Sequence, residues 1–213
     1  MDPVESWHDE TIGQAACEAL KRHAFDARYV ASAKEALDII LSFAKPGMTV
    51  GFGGSMTIQA IGPREKLAEL GAKLLDHNAP GLDPEKKTEI RRAQLTCDLF
   101  LSGSNAVTLD GELVNVDGTG NRVAALTFGP RKTVVVVGVN KIVRNLEEAW
   151  ARIETRAAPM NNRRLKYANP CVKAGTCSDC QGETRICRIY HVLKRRPSST
   201  DFTVIVVGEA LGF

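Results

Sequence analysis

Four of the six cysteines fall in one short segment: Cys171, Cys177, Cys180 and Cys187, spaced C-x5-C-x2-C-x6-C. Two residues between Cys177 and Cys180 let both sulfurs turn toward one centre, and the longer gaps give the outer pair slack to complete a tetrahedron. Pro170 and Gly175 suit the bends of such a loop. Four thiolates are the usual set for structural zinc and for a [4Fe–4S] cluster. Nearby cations, Arg185 and Arg188 among them, would offset the negative charge of either site. The alternatives are two disulfides or four unrelated buried thiols. The N-terminal MDPVESWHDE lacks the basic-then-apolar order of a secretory signal, and no stretch approaches the roughly 18 apolar residues of a membrane span. A cytoplasmic chain is therefore expected, and there clustered thiols hold metal or do redox chemistry rather than cross-link. The spacing is neither the ferredoxin run nor a symmetrical pair of zinc knuckles, so iron–sulfur cluster and Zn2+ both stay open.

Two glycine-rich turns offer a different chemistry. Gly51-Phe52-Gly53-Gly54-Ser55-Met56-Thr57 lies where an apolar strand meets a helix. Glycines there bare backbone N–H groups, and a helix start adds positive potential, so a carboxylate or phosphate could be held. A tight strand–helix turn with no ligand is the other reading. Asp117-Gly118-Thr119-Gly120-Asn121-Arg122 gathers a carboxylate, a hydroxyl, an amide and a guanidinium on a second such turn. Asp117 could act as a general base with Arg122 holding an anionic substrate, or it could simply cap the following helix. Asn105, across a hairpin, could face the same cleft. His8, His23, His77 and His191 are scattered without metal-ligand spacing.

The elements that would position these groups read as alternating helices and strands. A helix runs to about Phe25, with Cys17 as a small core residue. Ser32 to Glu35 forms a capping box ahead of a helix that Pro46-Gly47 stops. Strand Met48–Phe52, helix Ser55–Leu70 and a short strand 72–75 follow. Asp83-Pro84 opens a helix expected to turn Ile90, Ala93 and Cys97 inward. Leu99–Leu101 is a strand, and Asp110-Gly111 is a two-residue turn with both residues at positive φ. Helix Thr119–Leu126, buried strand Thr133–Val139 and helix Leu146–Arg156 complete the alternation. This is an α/β pattern around a mostly parallel sheet flanked by helices. The final apolar strand, Thr203–Val207, either returns to that sheet or pairs with Ile186–Leu193.

Composition bounds the rest. Over 213 residues, 44% are hydrophobic and 25% charged, an ordinary globular balance that excludes a disordered or collagenous chain. Residues 151–200 hold 11 Lys and Arg against 3 Asp and Glu, a local charge of +8 in a chain of net charge +3. The basic stretch Lys194-Arg195-Arg196 lacks interleaved aromatics, so no nucleic-acid partner is expected. The organisation expected is a single domain: an α/β core with its N-terminal helix over 1–158, a basic cysteine-rich metal loop near the C-terminus over 159–200, and a closing strand over 201–213.

Three stretches carry a family resemblance: GFGGSMTIQAIG at 51–62, LSGSNAVTLDGELVNVDGTGNRVAAL at 101–126 and FGPRKTVVVVGVNKIV at 128–143. Together with the closing VVGEALGF they resemble the LUD-domain family, which includes the lactate-utilization proteins B and C. The resemblance implies a fold like that of NagB, ribose-5-phosphate isomerase and the CoA transferases. It implies one cleft wall from Gly53, Gly54, Ser55 and Thr57, and another from Asn105, Asp117, Gly118, Thr119, Gly120 and Asn121, with Asn140 and Lys141 near the rim. It also implies an oxidoreductase role, as a component of the oxidation of L-lactate to pyruvate by an iron–sulfur complex. Other lactate-utilization subunits or an electron-transfer partner would then be its partners, and a homo-oligomer suits the fold. The four-cysteine tail resembles that of a short stand-alone subgroup. Two other roles remain beside it: a zinc-stapled isomerase- or transferase-like enzyme acting on a small anion, and a non-catalytic acid-binding subunit.

Overall fold

The computed structural model describes residues 2–213. Helix α1 (Pro3–Arg22) starts where Asp2 accepts a hydrogen bond from the Val4 N–H at 2.8 Å. Strand β1 (Asp26–Val30), which was not expected, follows it directly. Helix α2 (Ala33–Ser42) is capped as anticipated: the Ser32 hydroxyl accepts from the Glu35 N–H, and the Glu35 carboxylate reaches back to the Ala31 N–H. Strand β2 (Thr49–Phe52) leads to the first glycine turn. The single helix expected over 55–70 is two, α3 (Met56–Ile61) and α4 (Pro63–Glu69). Gly62 adopts φ 71° between them, and Pro63 has no N–H to carry the first helix onward.

Strand β3 (Lys73–Leu75) and helix α5 (Pro84–Gln94) come next. Of the residues expected to turn inward, Cys97 is buried and Ile90 half-buried, but Ala93 is exposed. Gln94 on α5 is buried instead, because its amide hydrogens go to the carbonyls of Phe52 and Leu75. Strand β4 (Leu99–Gly103) precedes the hairpin β5 (Ala106–Thr108) and β6 (Leu113–Asp117). Its turn has three residues rather than two. The Gly111 N–H donates to Thr108 O, the Thr108 N–H donates to Glu112 O, and only Gly111 has positive φ.

Helix α6 (Asn121–Thr127), strand β7 (Lys132–Gly138) and the short strand β8 (Ile142–Val143) follow. Helix α7 (Leu146–Arg152) widens into one π turn over Ile153–Ala157 and continues as α8 (Ala158–Arg164), carrying Pro159 inside the run. The basic segment therefore begins within a helix rather than after one. A single helical turn, α9 (Cys171–Ala174), then leads to β9 (Ile189–Leu193) and β10 (Asp201–Val207).

Six strands form a wholly parallel sheet in the order β1-β10-β7-β4-β2-β3. The last strand returns to this sheet, between β1 and β7. Side chains alternate across it. Val134, Val136, Ile205 and Val207 pack with α2, α3 and α4 on one face, while Val135, Val137, Val204 and Val206 pack with α1 on the other. Both faces are covered, which is why β7 and β10 read as unbroken apolar runs. A second sheet, β8-β5-β6-β9, packs Ala106 and Val114 against Ala149, Ile153 and Ala158. No helix among the described residues is long and apolar enough to cross a membrane.

Candidate functional site

The parallel strands end at a common edge, and the loops that leave it enclose the site. From β2 the chain runs outward to β3, then crosses back to β4 on β2's other side. A parallel sheet opens a crevice where its strand order reverses in this way. The turns after β2 and β4 line that crevice and approach closely. A Cβ on Gly53 would sit 2.8 Å from Ser102 Oγ, and one on Gly103 would sit 2.6 Å from Ser55 Oγ. The cavity measures about 270 Å³, near the lower end of small-molecule sites.

Several anticipated residues meet there: Gly53, Gly54, Ser55, Asn105, Asp117, Gly118, Thr119, Asn121, Arg122 and Lys141 all line the cavity. Thr57 and Gly120 sit behind the wall. Thr57 is fully buried, donating from Oγ1 to Leu211 O at 3.1 Å and accepting from Lys141 Nζ at 2.7 Å. Ser55 caps α3 by accepting from the Ile58 N–H. Asn140 holds the closing segment from both ends of its amide, donating to Gly212 O and accepting from the Leu211 N–H.

Asp117 is used as a cap. Its Oδ1 accepts from the Thr119 and Gly120 N–H groups, and its Oδ2 accepts from the Val123 N–H and lies 3.5 Å from Arg122 Nε. These contacts fix the carboxylate in place at the cavity wall. Arg122 is the hub of the second wall. Its guanidinium donates to Asn115 Oδ1, to Asn105 Oδ1 at 3.2 Å and to Val116 O at 2.7 Å. Burial lowers its affinity for the proton, and Asp117 opposes that. Asn115 is fully buried, and its Nδ2 has no partner.

Lys141 lies on the 3-10 turn after β7 and is 4% exposed. Burial, then Arg152 and Arg122, push its ammonium down to about 7. His77 was passed over in the sequence but stands in the cavity beside Asn78, just after β3. Burial, then Arg91, keeps its imidazole below the ordinary histidine range, and Gln94 Nε2 lies 3.1 Å from its Nδ1. Arg91 and Arg164 also face the cavity. The signal for His77 was its place after a parallel strand's carboxyl end. Nothing local marked the two arginines. Three arginines, Arg91, Arg122 and Arg164, against the one side-chain carboxylate of Asp117 make this a site for an anion.

The cysteine segment forms part of the same wall. Ile186 and Cys187 line the cavity, and a Cβ on Gly118 would meet Ile186 O at 3.2 Å. Burial raises Cys187 to about 11; Cys177, Cys171 and Cys180 add to the rise and Arg185 opposes it. All four thiols are thus neighbours electrostatically. Among the described residues no three His, Cys, Asp or Glu side chains are grouped so as to hold a metal ion. The loop is fastened around the thiols instead. Asn169 Nδ2 donates to Asn162 Oδ1 and Thr184 O, and the Thr184 hydroxyl donates back to Asn169 Oδ1. Arg185 donates to Cys180 O and Cys187 O, both at 2.7 Å, and the Cys177 N–H donates to Glu154 O in the π turn. An all-sulfur donor set fits a soft metal, which binds sulfur as thiolate. His191 is half-buried, with Nε2 3.0 Å from Thr127 Oγ1.

The model of the LUD domain matches residues 14–207, and the chain belongs to that family. A search of curated proteins finds no match. Among solved structures, the chain is similar to the crystal structure of a DUF162 family protein from Deinococcus radiodurans. The TM-score is 0.53 at 14% identity, covering 93% of this chain and 98% of that one, a likeness of fold.

Proposed function

We propose that the cleft binds a small organic anion, and that the protein serves as an oxidoreductase component of lactate utilization, the oxidation of L-lactate to pyruvate. One observation carries the reading: a cationic cavity at the strand ends has Cys187 of the four-cysteine segment in its wall. Cys171, Cys177, Cys180 and Cys187 would hold a [4Fe–4S] cluster, which when bound supplies one-electron transfer. The chain's own part is to bind and to move protons. Arg91 and Arg164 attract the acid group, Arg122 holds the second wall rigid, and the neutral imidazole of His77 is suited to accept a hydroxyl proton. A cytoplasmic location, a partner that accepts the electrons and a homo-oligomer belong to the same proposal.

A second reading has its own support in the polar knot of Asn162, Asn169 and Thr184. That knot suits a zinc staple, with isomerase- or transferase-type chemistry confined to the cleft. Anaerobic purification, metal and sulfide analysis and a visible spectrum separate the two. Iron and sulfide at about four each per chain, with absorption that bleaches on adding L-lactate, supports the redox reading. One zinc and no colour overturns it.

A further inference from the structure

We propose that Lys141 is a nucleophilic amine that condenses with the carbonyl of a small 2-oxo acid held in the cleft, forming an imine. The inference rests on the reading that the cleft takes a small organic acid and adds a covalent step at a named atom. Two acceptors face Lys141 Nζ: Thr57 Oγ1 at 2.7 Å and Ser104 O at 3.4 Å. Thr57 gives its own hydroxyl hydrogen to Leu211 O, so its oxygen is committed to receiving from the amine.

An ammonium brings three N–H donors and a neutral amine brings two and a lone pair. Two acceptors match the two N–H groups of the neutral form and leave its lone pair free to face the cavity. The charged groups bearing on Lys141 are Arg152 and Arg122, both cations, which act in the same direction. A desolvated lysine beside cationic groups is the ordinary setting of an amine nucleophile. The side chain lines the cavity, so a bound carbonyl can reach it.

The step balances without an oxidant. Nitrogen adds to the carbonyl carbon, the carbonyl oxygen leaves as water with the two amine hydrogens, and hydrolysis returns both partners. An imine makes the adjacent C–H more acidic. His77, three strands along the order β7-β4-β2-β3, stands in the same cavity to exchange that proton.

The test incubates the intact protein with pyruvate at pH 7, reduces with cyanoborohydride, and maps adducts by peptide mass spectrometry. Binding of pyruvate is measured separately by calorimetry. One carboxyethyl group per chain on Lys141, absent from Lys141→Met, is the expected result. Calorimetric binding without an adduct at Lys141 overturns the imine while leaving the acid-binding cleft intact. Adducts scattered over surface lysines, equal in wild type and Lys141→Met, also overturn it. Neither binding nor adduct removes the inference together with the reading beneath it.

Discussion

Replacing Lys141 with methionine should make the protein more stable near neutral pH and progressively less advantaged as the pH rises. Lys141 takes up protons near pH 7 in the folded chain and near its ordinary 10.5 when unfolded. Below pH 7 it is protonated in both states, and the folded protein bears the full cost of a buried ammonium. Between those values the unfolded chain binds more protons, so wild-type stability rises with pH. At about 1.4 kcal/mol per pH unit, the whole cost approaches 5 kcal/mol, of which about 2 kcal/mol is recovered between pH 7 and 9. Methionine fills similar volume and carries no proton. It forfeits the two hydrogen bonds of Nζ, a loss of about 1 kcal/mol each that does not vary with pH. Urea denaturation of both proteins at pH 7 and pH 9 reads the difference, and all other titrating groups cancel in it. The gap between variant and wild type should shrink by about 2 kcal/mol over that range. A gap that stays constant would show that Lys141 keeps its proton through pH 9, and the desolvation reasoning would fail.

Arg122→Met should weaken anion binding about tenfold, because it removes one of the cavity's cations together with the brace of its second wall. It should also destabilise the fold by about 3–5 kcal/mol, because Asn105, Asn115 and Asp117 lose their buried partner; calorimetry and urea melts report the two effects. Gly53→Ala places a Cβ 2.8 Å from Ser102 Oγ at the floor of the crevice. A loss of about 1–3 kcal/mol from overpacking is expected in a thermal melt, and an unchanged melting temperature would place the turn elsewhere. Cys177→Ser should lose bound metal on elemental analysis while leaving the circular dichroism of the α/β core intact. Full metal occupancy in that variant would refute the ligand assignment.

The parts of this fold legible in the sequence are those whose local chemistry admits one structure. Val134–Val137 could only be a strand covered on both faces, and Ser32 with Glu35, like Asp83 with Pro84, could only begin helices. Errors arose where distant partners decide. Gln94 is buried because two backbone carbonyls from β2 and β3 need its amide hydrogens, which no helical periodicity reveals. Gly62 was legible as a break in hindsight, since glycine before proline rarely continues a helix. The second sheet was half legible: the hairpin showed in its Asp-Gly turn, but its pairing with β9 spans many residues.

At the site, the glycine turns and Arg122 were marked by their own types and spacing. Arg91, Arg164 and His77 were not, because an arginine on a helix and an isolated histidine look the same on any surface. Their role comes from the strand order, which brings the ends of β2, β3, β4 and β7 to one edge. The capping role of Asp117 was one of two readings open from sequence. Three N–H donors and one guanidinium hold its carboxylate in the capping arrangement.

The most direct test of the central claim is calorimetric titration of the intact protein with L-lactate and pyruvate, repeated on Arg122→Met. Saturable binding of one acid per chain, lost or strongly weakened in the variant, is what a cationic cleft at the strand ends predicts. No saturable binding of either acid, or binding that Arg122→Met leaves untouched, would contradict it.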